Sequence, residues 1–419
     1  MNSKLKDFGT GFKSLLQPRV LLVILIYVTN QYGNNKMNGF QSKLATGTLG
    51  IGADVVGVAV TVFTLAGFLM RAPSGYITDN FDAKKALIAA FVLKIGVNVL
   101  YALIPEGGAV FYLVVRFLHG VAWSIVGVMP VALLGAFVAR RAAGTAYALL
   151  MAMSSLLCST ARPLALKFLQ ERGGTYVALF TAAITIVPIL LTLLIKLDKK
   201  TLARKAPAGE KEKKGIVKFF TGSILVYMIP LAVLSAIPML GYNCEMTYLP
   251  QLADEAGVEY LATLTAAGAI SSIVVLGTGI LCDIISPYIV LTLMLGLSGA
   301  GLMLMGGAKT TASMATGIWL YYLGRSQFNQ FTIIGMKCVS HRQQGALQGT
   351  MNLFKDLLTM FWGPLLGKLI VNTSYGNTFR ISGIVALITI VLVWISKFAV
   401  LDKFTAKAIA EAEAEKAAA

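Results

Sequence analysis

The sequence predicts an all-α membrane protein with twelve transmembrane helices, arranged as two pseudo-symmetric six-helix bundles. Three observations point there: long apolar runs, a one-sided distribution of lysine and arginine, and an internal repeat. Of the 419 residues, 57% are hydrophobic and 13% charged, whereas a soluble domain carries about 25% charged residues. Hydrocarbon offers the backbone no hydrogen-bond partners, so a spanning chain must close its own bonds as helices or as a barrel. The apolar runs reach about 20 residues, the length a helix needs to cross about 30 Å, while barrel strands alternate over about ten. Helices are therefore expected.

The runs place spans near 20–42, 54–77, 84–104, 109–137, 144–168, 175–197, 220–248, 260–283, 286–306, 312–338, 345–371 and 378–400. The polar stretch 198–218 reads as a cytoplasmic linker between bundles at 1–197 and 219–400, and 401–419 as a cytoplasmic tail. Lys4, Lys6, Lys13 and Arg19 precede the first run and no small-residue cleavage site follows, so that run reads as an anchor that stays. Cys158, Cys244, Cys282 and Cys338 fall in or beside apolar runs, as buried small hydrophobes rather than a disulfide set or metal site.

A net charge of +17 would suit nucleic acid, but its placement argues otherwise. With both termini inside, the inner loops collect most of the 36 basic residues, nine of them between Lys196 and Lys218. The outer side holds Lys36, Lys43, Lys167, Arg172, Lys309, Lys368 and Arg380, and the loop at 250–260 is acidic. The positive-inside rule then puts both termini in the cytoplasm of an inner-membrane protein, with lipid head groups rather than nucleic acid as the anionic neighbours.

The halves repeat. Arg141 and Gly144 recur as Arg342 and Gly345, and at the same offset Pro163 and Lys167 recur as Pro364 and Lys368. Gly75-x-x-x-Asp79 is echoed by Gly279-x-x-x-Asp283, and Arg116 by Arg325. Matches in one chain order at slowly drifting offsets are the mark of a duplicated transporter-type bundle.

The segment from Arg71 to Leu87, RAPSGYITDNFDAKKAL, resembles the signature loop of the major facilitator superfamily at Gly75, Ile77, Asp79, Phe81, Lys84, Lys85 and Leu87. It departs at Asn80, Asp82 and Ala83, where the family has a basic residue, glycine and a basic residue. Arg116-x-x-x-Gly120 is similar to the family's fourth-helix motif, and Arg140-Arg141-x-x-Gly144 to its loop before helix five. The resemblance implies an alternating-access transporter, usually monomeric. Its cytoplasmic latch would comprise Arg71, Gly75, Asp79, Lys84, Lys85, Arg140 and Arg141, with Gly279, Asp283 and Arg342 as the second-half counterparts.

Ionisable groups at membrane depth are costly and each needs a reason. The candidates for a substrate cavity or coupling site are Asn34, Asn35, Lys36, Arg116, His119 and Arg162 in the first half. In the second half they are Glu245, Arg325, Asn329, Asn352, Lys355 and Asp356. Arg325, Asn329 and Thr332 form a stripe on one face of a continuous tenth helix. Polar residues crowd onto spans one, four, five, seven, ten and eleven, with Lys94 the exception in span three. Aligning YGNNKM with GYNCEM pairs Lys36 with Glu245 as an extracellular gate.

The depth list carries a positive surplus, and low-dielectric walls focus it, so the expected cargo is a small organic anion, a carboxylate or phosphorylated compound. Proton-coupled drug efflux is the alternative, with Glu245, Asp356 or His119 as proton carriers, although Arg162 and Leu166 stand where drug antiporters have glycine. Neither a catalytic cluster, a metal site, a cofactor motif nor a Walker sequence is found, so an enzyme is not expected.

Overall fold

The computed structural model describes residues 17–80, 82–138, 143–195, 223–337 and 344–402; the linker at 198–218 and the tail from 403 lie outside them. The chain divides into two compact units, Met1–Ala208 and Gly209–Ala419. In unit 1 the helices are α1 (Pro18–Lys43), α2 (Ala53–Asn80), α3 (Ala83–Ala102), α4 (Ala109–Phe137), α5 (Ala143–Cys158), α6 (Ala161–Ile184) and α7 (Ile186–Leu194). In unit 2 they are α8 (Ser223–Ala236), α9 (Met239–Ala256), α10 (Leu261–Ile284), α11 (Pro287–Gly306), α12 (Thr311–Gly324), α13 (Gln327–Lys337), α14 (Gln344–Asn372) and α15 (Tyr375–Ser396). No strand occurs among the described residues, and eight segments there are long and apolar enough to cross a bilayer.

More helices than spans means that some spans are broken, and the sequence expectation of continuous helices is corrected at four places. Span five breaks at Ser159–Thr160, before Pro163; span six breaks at Thr185, before Pro188; span seven breaks before α9, whose N-cap is Pro238. Proline has no N–H for the carbonyl four residues back and crowds it sterically, so each of these breaks has a local cause. The fourth break, at Arg325–Ser326, follows Gly324 and contains no proline. Between spans five and six the turn is made inside α6 at Gly173, whose φ of 80° and ψ of 170° suit glycine alone. Span seven also outruns its expected end: α9 continues to Ala256, because Tyr248, Leu249, Leu252 and Ala253 are all buried.

The same packing order recurs in both units. In unit 1, α2 lies along α4, α1 along α5 and α6, and α3 along α4 and α6. In unit 2, α10 lies along α12, α8 and α9 along α14, and α11 along α12 and α15. Each unit gathers its apolar core at one end. Val23, Ile26, Phe91, Met129 and Leu150 form it in unit 1, and Leu231, Leu295, Phe331, Met351 and Val393 in unit 2.

The tightest seam of unit 1 depends on Gly120. A Cβ built there would overlap the Phe63 carbonyl of α2 and lie 2.8 Å from the Ala66 Cβ. Small residues let helix backbones approach this closely in a bilayer. Gly120→Leu is expected to push α2 from α4 at a cost of about 1–3 kcal/mol, read as a lower melting temperature in detergent; an unchanged melting curve would refute the seam.

Candidate functional site

The first polar cluster of unit 1 grows from α3. Lys94, Asn98 and Tyr101 stand at i, i+4 and i+7, so they share one helix face. Lys94 Nζ donates to Asn30 Oδ1 at 2.7 Å and to the Asn30 carbonyl at 3.2 Å. Asn30 Nδ2 in turn donates to the Val126 carbonyl at 3.3 Å, which ties α1 to α4. One turn along α3, Asn98 Nδ2 donates to Thr185 Oγ1 at 3.3 Å, and the Thr185 hydroxyl donates to the Thr181 carbonyl at 2.8 Å. Lys94 and Asn98 are both fully buried. The expectation that spans three and six are apolar apart from an unexplained lysine is thus corrected: they enclose a polar network with defined partners.

The second cluster centres on Arg116. Its Nη1 donates to Gln41 Oε1, its Nε donates to the Ala59 carbonyl at 3.4 Å, and its guanidinium lies 4.6 Å from the Phe63 ring centroid. With Gln41 Oε1 occupied, Gln41 Nε2 donates to His119 Nδ1 at 3.2 Å. The Tyr101 hydroxyl sits 3.3 Å from the same nitrogen. Accepting at Nδ1 leaves the ring proton on Nε2 and the imidazole neutral. Arg116 and Gly120 therefore both serve the α2–α4 seam, and His119 accepts at Nδ1 beside them. Arg162 is buried at the start of α6, its Cβ 3.0 Å from where a side chain on Gly39 of α1 would begin.

Unit 2 differs in kind. Arg325 sits in the break between α12 and α13, half-buried, its guanidinium carbon 4.7 Å from the Tyr322 ring centroid and 5.7 Å from that of Tyr242. It makes no hydrogen bond or ion pair among the described residues. Tyr322 donates to Glu245 Oε1 at 3.2 Å, and Glu245 is fully buried. Tyr321 packs edge-on to Tyr322, with ring centroids 5.6 Å apart. The Tyr321 hydroxyl is buried and has no hydrogen-bond partner. Lys355 Nζ lies 4.4 Å from the Phe328 ring centroid, and Lys355 and Asp356 are half-buried on α14.

Other sequence candidates scatter. Because span ten breaks at Arg325, the expected continuous stripe does not form: Asn329 is exposed on α13 and the Thr332 hydroxyl donates to the Phe328 carbonyl at 3.1 Å. Lys84 has a structural partner, donating to the carbonyls of Leu193 at 2.7 Å and Ile195 at 3.0 Å at the end of α7. A cation at a helix C-terminus is favoured there by the dipole. Asp82, a departure from the family motif, caps α3 by accepting from the backbone N–H of Lys84 at 3.0 Å and Lys85 at 3.2 Å. Lys85 is exposed and Gly279 lies within α10. Gly75 lies within α2, and the side chains of Asn34, Asn35, Lys36, Arg71, Asp79, Asp283 and Asn352, together with Arg140, Arg141 and Arg342, lie outside the described residues.

Sequence reasoning missed Asn30, Gln41, Tyr101, Tyr242, Tyr321 and Tyr322. The doubled tyrosine beside Arg325 was the readable signal, since rings next to an in-membrane arginine are its natural partners. Among the described residues no group of His, Cys, Asp and Glu is arranged to hold a metal ion.

Two compact helical units with apolar spans and charged groups held at depth define a polytopic membrane transporter. The chain belongs to the Major Facilitator Superfamily, whose sequence pattern matches residues 20–362. No curated protein sequence matches it. Among solved structures it is similar to the nucleoside transporter NupG, with a TM-score of 0.72 and 13% identity over 91% of this chain and 100% of that one. A POT family transporter in complex with a thioalcohol-conjugated peptide gives 0.71 and 14% over 91% and 96%. The inward-open xylose transporter XylE from E. coli gives 0.70 and 13% over 92% and 98%. At such identities the likeness shows the fold alone. The family and these neighbours are transporters, not enzymes.

The Lys94 network yields a direct check. Asn30→Leu removes the side-chain acceptor of buried Lys94 and leaves it only the residue-30 carbonyl, and is expected to lower stability by about 2–3 kcal/mol, the scale of a hydrogen bond to a charged group. Adding Lys94→Met should recover most of the loss, because a matched apolar pair needs no acceptor. Thermal unfolding of both variants in detergent measures it; a double variant no better than Asn30→Leu would contradict the pairing.

Proposed function

We propose that the chain is a secondary active transporter working by alternating access, and that it carries a small organic anion. The observation that carries this reading is a charge imbalance. Among the described residues the fully or nearly fully buried Lys, Arg, Asp and Glu side chains are Lys94, Arg116 and Arg162 on the basic side and Glu245 on the acidic side. A positive surplus in a low-dielectric interior raises the local concentration of anions. In this reading the bundles are 1–197 and 219–400, joined by a cytoplasmic linker at 198–218, with both termini inside an inner membrane. The motif residues Arg71, Gly75, Asp79, Arg140 and Arg141 form the cytoplasmic latch, with Gly279, Asp283 and Arg342 their counterparts. Lys36 and Glu245 form the outer gate, and Arg325, Asn329, Asn352, Lys355 and Asp356 face the cargo. The working unit is a monomer.

Proton-coupled efflux is the second reading, favoured by one feature: Glu245 is a carboxyl group with no exposed surface, hydrogen-bonded by Tyr322.

Purified protein in liposomes separates the readings. Uptake of labelled carboxylates or phosphorylated compounds above empty vesicles is expected. The same compounds at about 100 times their dissociation constant should stabilise the protein by about 2.7 kcal/mol. Flux restricted to lipophilic cations, or to neutral sugars and nucleosides, would overturn the anion reading; binding without any flux would make the chain a sensor.

A further inference from the structure

We infer, resting on the anion reading, that the break in span ten is the seat of the cargo and that it selects a monocarboxylate with a planar ring over phosphorylated or multiply charged compounds. The starting point is Arg325. Its five N–H donors have no acceptor among the described residues, although the side chain is half-buried and held between the rings of Tyr242 and Tyr322. A guanidinium in this state is oriented by its rings while its donating edge stays open, and a carboxylate is the partner that fits a planar fork.

A second donor points the same way. The Tyr321 hydroxyl is buried, has no partner, and lies within electrostatic reach of both Arg325 and Glu245. A buried hydroxyl left unbonded carries a cost that a ligand atom removes. The break itself adds a favourable field. Arg325 and Ser326 precede the first turn of α13, an eleven-residue helix (Gln327–Lys337) whose opening N–H groups have no partners within the helix. Farther in, the Gln330 amide is fully buried with neither of its polar atoms bonded.

The choice of monocarboxylate follows from the local charge. Arg325 is offset by Glu245, which reaches it through Tyr322. Lys355, set on Phe328 three residues beyond Arg325, is followed in sequence by Asp356. Two cations against two carboxylates leave the neighbourhood near neutral, so one added negative charge is accommodated and two or more are opposed. The ring follows from the walls: Tyr242, Tyr321, Tyr322 and Phe328 present aromatic surface on which a flat apolar body packs.

The test uses full-length protein reconstituted in nanodiscs, with benzoate, inorganic phosphate and neutral benzamide as probes and binding read by calorimetry. Benzoate is expected to bind, phosphate and benzamide at least about tenfold more weakly. Arg325→Gln and Tyr321→Phe should each weaken benzoate about tenfold, the loss of one charge-assisted or one buried hydrogen bond. Arg172→Gln, at an exposed position where the side chain pairs with Tyr176, should leave benzoate affinity unchanged. Where Arg325→Gln fails to fold, Tyr321→Phe and a Tyr242→Leu variant decide, since neither removes a charge. Phosphate binding more tightly than benzoate, or benzoate indifferent to these variants while anion flux persists in liposomes, would overturn the inference and leave the anion reading standing. Absence of both binding and flux for every anion would overturn the anion reading itself.

Discussion

A polar group inside a bilayer has no water to turn to, and every feature of this molecule answers to that constraint. Among the described residues the backbone answers by crossing in helices, with no strand. The side chains answer by pairing within each unit: Lys94 with Asn30, Asn98 with Thr185, Arg116 with Gln41 and a backbone carbonyl. Such pairs hold helices in register because the alternative is an unsatisfied charge at depth. The same rule makes the exception informative. Where a buried or half-buried group has no partner among the described residues, as at Arg325 and Tyr321, a donor is left open, and the proposed cargo is its partner.

The two units share a packing order but use it differently. In unit 1 the polar residues of α1, α3, α4 and the α6–α7 break are cross-linked into two clusters, and the Arg116 motif is absorbed into the seam that Gly120 opens. In unit 2 the equivalent arginine falls at a helix break, is braced by rings instead of amides, and keeps its donors free. A duplicated fold has thus placed a structural arginine in one copy and an accessible one in the other. Broken helices suit the second role, since they set helix ends and their partial charges at mid-span.

Much of this was legible in the sequence, and the reasons differ by feature. The spans are written in hydropathy, the repeat in the spacing of Arg, Gly and Pro, and the family in the Gly75–Leu87 loop together with Arg116-x-x-x-Gly120. Lys94 was visible only as an anomaly because Asn30, its acceptor, is 64 residues away and carries no pattern of its own. The breaks in spans five, six and seven could be anticipated from Pro163, Pro188 and Pro238, but the break at Arg325 could not, having no proline. Asp82 looked like a departure from the family motif until its role as an N-cap explained it, which is a local requirement of α3 rather than of the latch. Lys84 shows the reverse case: a residue that fits the motif has a plain structural partner at the end of α7.

The account rests on one contrast, hydrogen-bonded polar clusters in unit 1 and a ring-braced arginine with open donors in unit 2, and water accessibility tests it most directly. Single cysteines at Asn98, His119, Tyr242 and Asn329, each in a chain with Cys158, Cys244, Cys282 and Cys338 replaced by serine, can be exposed to a hydrophilic thiol reagent in membrane vesicles. The account predicts labelling at Tyr242→Cys and Asn329→Cys, and protection at Asn98→Cys and His119→Cys. Ready labelling at Asn98→Cys and His119→Cys with protection at the other two would contradict it and move the binding site to unit 1.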